Sequence, residues 1–224
     1  MGVLDFDCSK TNTLCAHTYS KSAQKNLVYV CSMNYLAHAY LSFGQAEILV
    51  GNMISDFVKG KSRFLYPVSI QKGISLHREI DAFTDHHEAT QKVKQVFRPA
   101  YRLYSAAFAD IVYDHFLAND KTEFREGELL RFSEWVYQTL HEYYELFPTM
   151  FKQLFPYMRR ENWLYGYRLN TGIEKSFAGL VRRASYMHES DTAYQLFKEN
   201  YALFEECYKE FFPELKKFTA EKII

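Results

Sequence analysis

Near the C-terminus, Tyr194, Phe197, Tyr201, Phe204, Tyr208 and Phe211 recur at steps of three, four, three, four and three. An α-helix turns about 100° per residue, so this spacing lines one helix face with aromatic rings. A face so apolar has to be buried against other elements. A second stripe, Leu129, Phe132, Val136, Leu140, Tyr143 and Phe147, runs up to Pro148. Both read as core-facing scaffold, the first as a single helix. Further helical patterns cover about 34–42, 46–58, 68–84, 99–118, 150–157 and 172–187, with Pro67 and Pro99 placed as first-turn prolines. Alternating strand patterns are missing, and no internal repeat or Pro/Gly/Ser-rich linker divides the chain. The expectation is a single all-α domain.

With 224 residues the chain is long enough to bury a sizeable core. Its 27 basic and 27 acidic residues cancel, which argues against nucleic acid or a membrane as a partner attracted by overall charge. No run approaches the roughly 20 apolar residues that span a bilayer. Cys8, Cys15, Cys31 and Cys207 form no CxxC pair or disulfide framework, so a reducing, cytoplasmic compartment is expected. Residues 1–32 differ in composition from the rest and read as an N-terminal extension or an overcalled start, with the domain running over 33–224.

The segment GISLHREIDAFTDHHEA, residues 73–89, breaks the apolar logic. As a helix it sets His77 and Asp81 about 40° apart, flanked by Ile70, Ile74, Leu76 and Ile80. Asp110 and Asp114 repeat the arrangement on a helix apolar all round, and Asn52 and Asp56 share a face with Leu49 and Met53. His38 lies in the first helix. Two histidines and four aspartates thus point inward from four helices, with Arg78 the one basic residue bordering them. Buried carboxylates need compensating charge. A divalent metal supplies it and takes imidazole nitrogen and carboxylate oxygen together; a purely structural polar network is the alternative.

The run from Met33 through His38, then GNMISDFVKG, GISLHREIDAFTD and DIVYDHFL, resembles the acyl carrier protein phosphodiesterase (holo-ACP hydrolase) family. The likeness begins at Met33, which favours that residue as the true start, and is looser in the C-terminal half. The resemblance implies a helical bundle related to the HD-domain phosphohydrolases. It also implies a divalent metal, manganese ahead of magnesium or iron, and removal of phosphopantetheine from the serine of holo-acyl carrier protein. Carried over by motif, Asp56 is the residue expected to be essential, with His77, Asp81, Asp110, Asp114 and His115 beside it. HD proteins carry His then Asp, whereas here Asp114 precedes His115. Neighbours diverge by about 100° on a helix, which puts a metal role for His115 in doubt.

The chemistry suits the residue set, since a metal can neutralise a phosphate oxygen and acidify water. Arg78 is a candidate to grip a phosphate oxygen, or else to pair with a neighbouring acid. His115 or His38 is a candidate general acid for the leaving serine. No Gly-rich phosphate loop, GxSxG elbow or Cys–His signature points to a covalent enzyme intermediate. Other readings are a phosphohydrolase acting on a nucleotide-like diester, a di-iron bundle and a carrier-binding module without activity. The second wants Glu-x-x-His pairs, which the inward positions lack. The implied carrier proteins are acidic helical bundles, so Lys59, Lys61 and Arg63, just after Asp56, are expected to receive one.

Overall fold

The computed structural model describes residues 35–184 and 186–223. Residues 1–34, which include the expected N-terminal extension, Met33 and the first three cysteines, lie outside the described residues. Among those described there are eleven α-helices and no strand. They are α1 (Tyr35–Tyr40), α2 (Ala46–Ile54), α3 (Val68–His86), α4 (Glu88–Tyr101), α5 (Ser105–Asn119) and α6 (Glu128–Glu142). After these come α7 (Thr149–Arg160), α8 (Trp163–Gly166), α9 (Asn170–Arg183), α10 (Asp191–Glu199) and α11 (Tyr201–Ile223). Short 3-10 turns at Ser55–Phe57 and Gly60–Leu65 join α2 to α3. No helix among the described residues is long and apolar enough to cross a membrane.

Three elements depart from the sequence expectation. Pro99 does not open a helix but lies in the last turn of α4, a helix the periodicity left unassigned, with Ala89, Val93 and Phe97 on its buried face. The chain breaks after it at Arg102, whose φ of 49° is strained for a residue with a Cβ, and α5 starts only at Ser105. The C-terminal aromatic stripe spans two helices, parted at Asn200.

Two glycines set the geometry of the N-terminal half. A Cβ on Gly51 of α2 would lie 2.1 Å from the Ile70 carbonyl oxygen, and one on Gly73 of α3 would lie 2.3 Å from that of Ile48. The two helices therefore cross backbone against backbone, a contact only glycine permits. Ser55 Oγ fastens the end of α2 by donating to the Ile74 carbonyl at 3.2 Å. The close crossing brings the turn that carries Asp56 against the face of α3 that carries His77 and Asp81.

Elsewhere the core is aromatic. Phe97, Phe108, Phe177, Phe197 and Phe204, from α4, α5, α9, α10 and α11, close a ring of contacts with centroids 5.1 to 6.3 Å apart. All five side chains are fully buried. Such pairs add to the hydrophobic gain of burying large rings.

Candidate functional site

Four of the inward-pointing residues meet. His77 Nε2 lies 3.1 Å from Asp56 Oδ1 and 3.2 Å from Asp81 Oδ2, and His38 Nε2 lies 3.2 Å from Asp81 Oδ1. The two imidazoles stack with centroids 3.9 Å apart. Their side chains are 2% and 6% exposed, whereas those of Asp56 and Asp81 are 16% and 37% exposed. The histidines thus form the floor of the site and the carboxylates face the opening.

Asn52 fixes the protons. Its Nδ2 donates to the His38 carbonyl at 2.8 Å, so its Oδ1 is the atom 2.7 Å from His38 Nδ1. An amide oxygen only accepts, hence Nδ1 carries the hydrogen. Burial, reinforced by the neighbouring His77 charge, holds the His38 pKa below its ordinary value. Neutral His38 therefore turns the lone pair of Nε2 toward a carboxylate oxygen. Two acceptors face each other, an arrangement that requires a cation or proton between them. For His77, burial pulls the pKa down, but Asp81 and Asp56 outweigh it and push it up to about 10. Its Nδ1 is buried and has no hydrogen-bond partner among the described residues. Asp81 is held below the usual carboxylate range, the two histidines overcoming the effect of burial.

This donor set fits a divalent metal. His38, His77 and Asp81 each offer one ligand atom, all within 4.8 Å of one another. One nitrogen of His38 is anchored by a second partner, a common way of orienting a metal-binding imidazole. Asp56 adjoins the group through His77.

The remaining expected site residues are placed differently. Asp110 is partly exposed and makes no hydrogen bond or ion pair with another described residue. Burial of its carboxyl and then the charges of Asp81, Asp85, Asp114 and Asp56 raise its pKa well above the ordinary value. Asp114 is spent elsewhere: its two oxygens accept the amides of Leu36 and Ala37 at 3.0 and 2.8 Å, capping α1. His115 points away from the cluster. Its Nδ1 lies 2.8 Å from the Tyr167 carbonyl and its Nε2 3.1 Å from the Tyr201 hydroxyl. Arg78 donates to the Val58 carbonyl at 3.1 Å, steadying the backbone just after Asp56, and forms no ion pair among the described residues. Lys59 and Lys61 are exposed, and Arg63 stacks over Phe64 at 4.7 Å.

The family described as Acyl carrier protein phosphodiesterase matches residues 33–215. The chain belongs to the acyl carrier protein phosphodiesterase family. The protein so named in Photorhabdus laumondii is 28% identical over 191 residues, covering 85% of this chain and 96% of its own length. That of Enterobacter sp. is 29% identical over 184 residues, covering 82% and 95%. That of Klebsiella pneumoniae subsp. pneumoniae is 28% identical over 194 residues, covering 85% and 99%. No solved structure matches the chain.

Sequence reasoning overlooked what Gly51, Gly73 and Asn52 do for this family member. The glycines carried a signal, since isolated glycines inside helical patterns mark close backbone approach. Asn52 stood on the inward face beside Asp56, but its amide orientation depends on the turn after α1, which no spacing discloses.

Proposed function

We propose that the protein hydrolyses the phosphodiester joining phosphopantetheine to the serine of holo-acyl carrier protein, releasing apo carrier protein and 4′-phosphopantetheine. The observation that carries this reading is the cluster of His38, His77 and Asp81, whose facing acceptors call for a cation, in a chain of the phosphodiesterase family. His38, His77 and Asp81 would hold a divalent metal, manganese in our reading, with Asp56 against His77 and Asp110 adding a carboxyl on the same side. Bound there, the metal supplies Lewis acidity, withdrawing charge from the phosphate and making water a stronger acid.

The chain's own groups do the rest. Asp56 and Asp81 both meet His77 at Nε2 and orient its ring. Asn52 keeps the hydrogen of His38 on Nδ1. Asp56 keeps its Oδ1 on His77, and its other carboxylate oxygen would take a proton from an attacking water in this reading. Arg78 stands beside the Asp56 turn with donors for a phosphate oxygen. Asp114 and His115 act in this reading on the scaffold that holds the site. The buried free thiol of Cys207 is in keeping with a reducing, cytoplasmic setting.

The test is incubation of holo carrier protein with the enzyme and manganese, reading the carrier's intact mass. Loss of a phosphopantetheine group is expected. Asp56→Asn keeps the volume and removes a charge, so turnover should fall by at least about a thousandfold, or 4 kcal/mol in barrier. Metal content should drop, and the metal-free variant should melt somewhat lower at neutral pH, because protonated His77 loses one of its two carboxylate partners. An unchanged carrier mass with wild type, or normal turnover by Asp56→Asn, would defeat the reading.

A further inference from the structure

The segment from Phe57 to Arg78 contains Lys59, Lys61, Arg63, Lys72 and Arg78 and no acidic residue, in a chain whose charges otherwise cancel. None of these five cations forms an ion pair among the described residues. Elsewhere Lys92 pairs with Glu210 at 3.1 Å, Lys152 with Glu145 at 3.0 Å and Lys222 with Glu79 at 3.0 Å. Lys121 and Lys175, unpaired among the described residues, have acidic residues near them in sequence. The same segment exposes apolar side chains. Phe64, Leu65 and Val68 are 59%, 86% and 70% exposed. A single exposed Leu is unremarkable, but a contiguous apolar patch ringed by polar groups marks an interaction site. Lys72 lies one helical turn beyond Val68, so the charge continues along the same face of α3. The patch begins at the edge of the site, for Val58, held by Arg78, separates Lys59 from the Asp56 turn.

We infer that the 3-10 turn Gly60–Leu65 and the start of α3 are the docking surface for the carrier protein. They would receive an amphipathic helix that sets carboxylates beside apolar side chains. This rests on the carrier-protein activity proposed above. Charge selects the occupant. A second copy docked patch against patch would set like charges against each other. Residues 1–34 hold Lys10, Lys21 and Lys25 against Asp5 and Asp7, the wrong sign to complement the patch.

The experiment measures binding of fluorescently labelled apo carrier protein, which lacks the scissile group, to the full-length manganese-loaded enzyme. Reversing Lys59, Lys61 and Arg63 to Glu should raise Kd at least about tenfold at low salt and flatten its salt dependence. Leu65→Ser should raise Kd about threefold and leave the salt slope alone, since it removes only apolar contact. Melting temperature and manganese content establish that both variants are folded. Wild-type Kd in both variants would overturn the surface. Deleting residues 1–32 should leave Kd unchanged; tightening that the triple reversal abolishes would instead make the chain's own N-terminal segment the occupant. Intact binding without release of phosphopantetheine would defeat the proposed activity alone. Release with unaltered binding in the variants would defeat the docking surface alone.

Discussion

The molecule holds its two interiors together by opposite means. Around α2 and α3, backbones touch at Gly51 and Gly73, and the space beyond the crossing is filled by imidazoles and carboxylates. Around α4, α5, α9, α10 and α11, helices stand apart on five phenylalanine rings. Rings can shift and repack when one is trimmed, whereas two backbones in contact cannot make room. The five phenylalanine rings carry no charge, so metal and the titration of His77 and Asp81 should act on the first region. Burying charge without an apolar return is costly. The glycine crossing is how this fold holds such a cluster in one geometry.

The largest expected effect comes from spoiling that crossing. In Gly51→Ala the new methyl meets the Ile70 carbonyl, so α2 and α3 must part. We expect about 3 kcal/mol or more of lost stability in urea unfolding, with weakened manganese binding in whatever remains folded. Phe177→Leu, in the aromatic ring, should cost about 1.5 kcal/mol and leave metal affinity unchanged. Equal costs would mean that the crossing is as pliable as the aromatic core.

Titration separates the regions next. In metal-free protein the His77 pKa stands at about 10 against 6.5 for the free side chain. Below about 6.5 folded and unfolded chains both hold the proton and the stabilisation is fully present. Between there and 10 only the folded chain holds it, so stability falls as pH rises, by up to about 1.4 kcal/mol per unit. The depressed Asp81 acts oppositely, its contribution present above the ordinary carboxylate pKa and lost as pH falls toward the folded value. The His77 and Asp81 shifts favour chelator-treated protein between roughly pH 4 and 6.5. The depressed His38 and His115 oppose them as pH falls below 6.5, and the raised Asp110 does so as pH rises. Manganese should counter the alkaline loss, because metal and proton compete for the same nitrogens. A urea midpoint that stays flat from pH 7 to 9 without metal would contradict the charge state assigned to His77.

What could be read from the sequence follows the same division. Aromatic stripes at helical spacing disclosed the all-α scaffold, and period set His77 and Asp81 together on α3. Asp56, expected within a helix over about 46–58, lies instead in the 3-10 turn Ser55–Phe57 beyond the end of α2, where period says nothing of its direction. Helix α4 was hidden by Pro99, which marks a first turn as readily as a last one. The break at Asn200 was hidden because the stripe keeps its spacing across both helices. Asp114 is inward like Asp81, and no pattern tells a carboxylate that caps α1 from one that meets two histidines. That difference is tertiary.

Asn52→Leu tests the tautomer on which the cation site depends. The side chain keeps its size but no longer holds the hydrogen on His38 Nδ1. Loss of such an orienting partner commonly weakens metal binding about 10- to 100-fold, and manganese titration should show it. Unchanged affinity would place the ring's orientation in the stack with His77 rather than in the amide.

The smallest effect on chemistry is expected at His115, although the family resemblance set it beside the site residues. It follows Asp114 in sequence, yet the helix turns it into the other interior, where its ring meets Phe197 edge-on at 5.2 Å. Burial keeps its pKa below the ordinary value despite the opposing pull of the Tyr167 carbonyl. It is therefore a neutral imidazole, donating from Nδ1 to that carbonyl and accepting from the Tyr201 hydroxyl at Nε2. Gln is shorter and cannot span both partners. His115→Gln should then lose about 1 to 2 kcal/mol, the worth of one or two buried hydrogen bonds, while kcat and manganese content stay within about twofold of wild type. Stability and turnover respond separately only if the residue belongs to the scaffold. A hundredfold fall in kcat at full metal content and an unshifted melting temperature would instead return His115 to the chemistry, and the division between the two interiors would fail at α5.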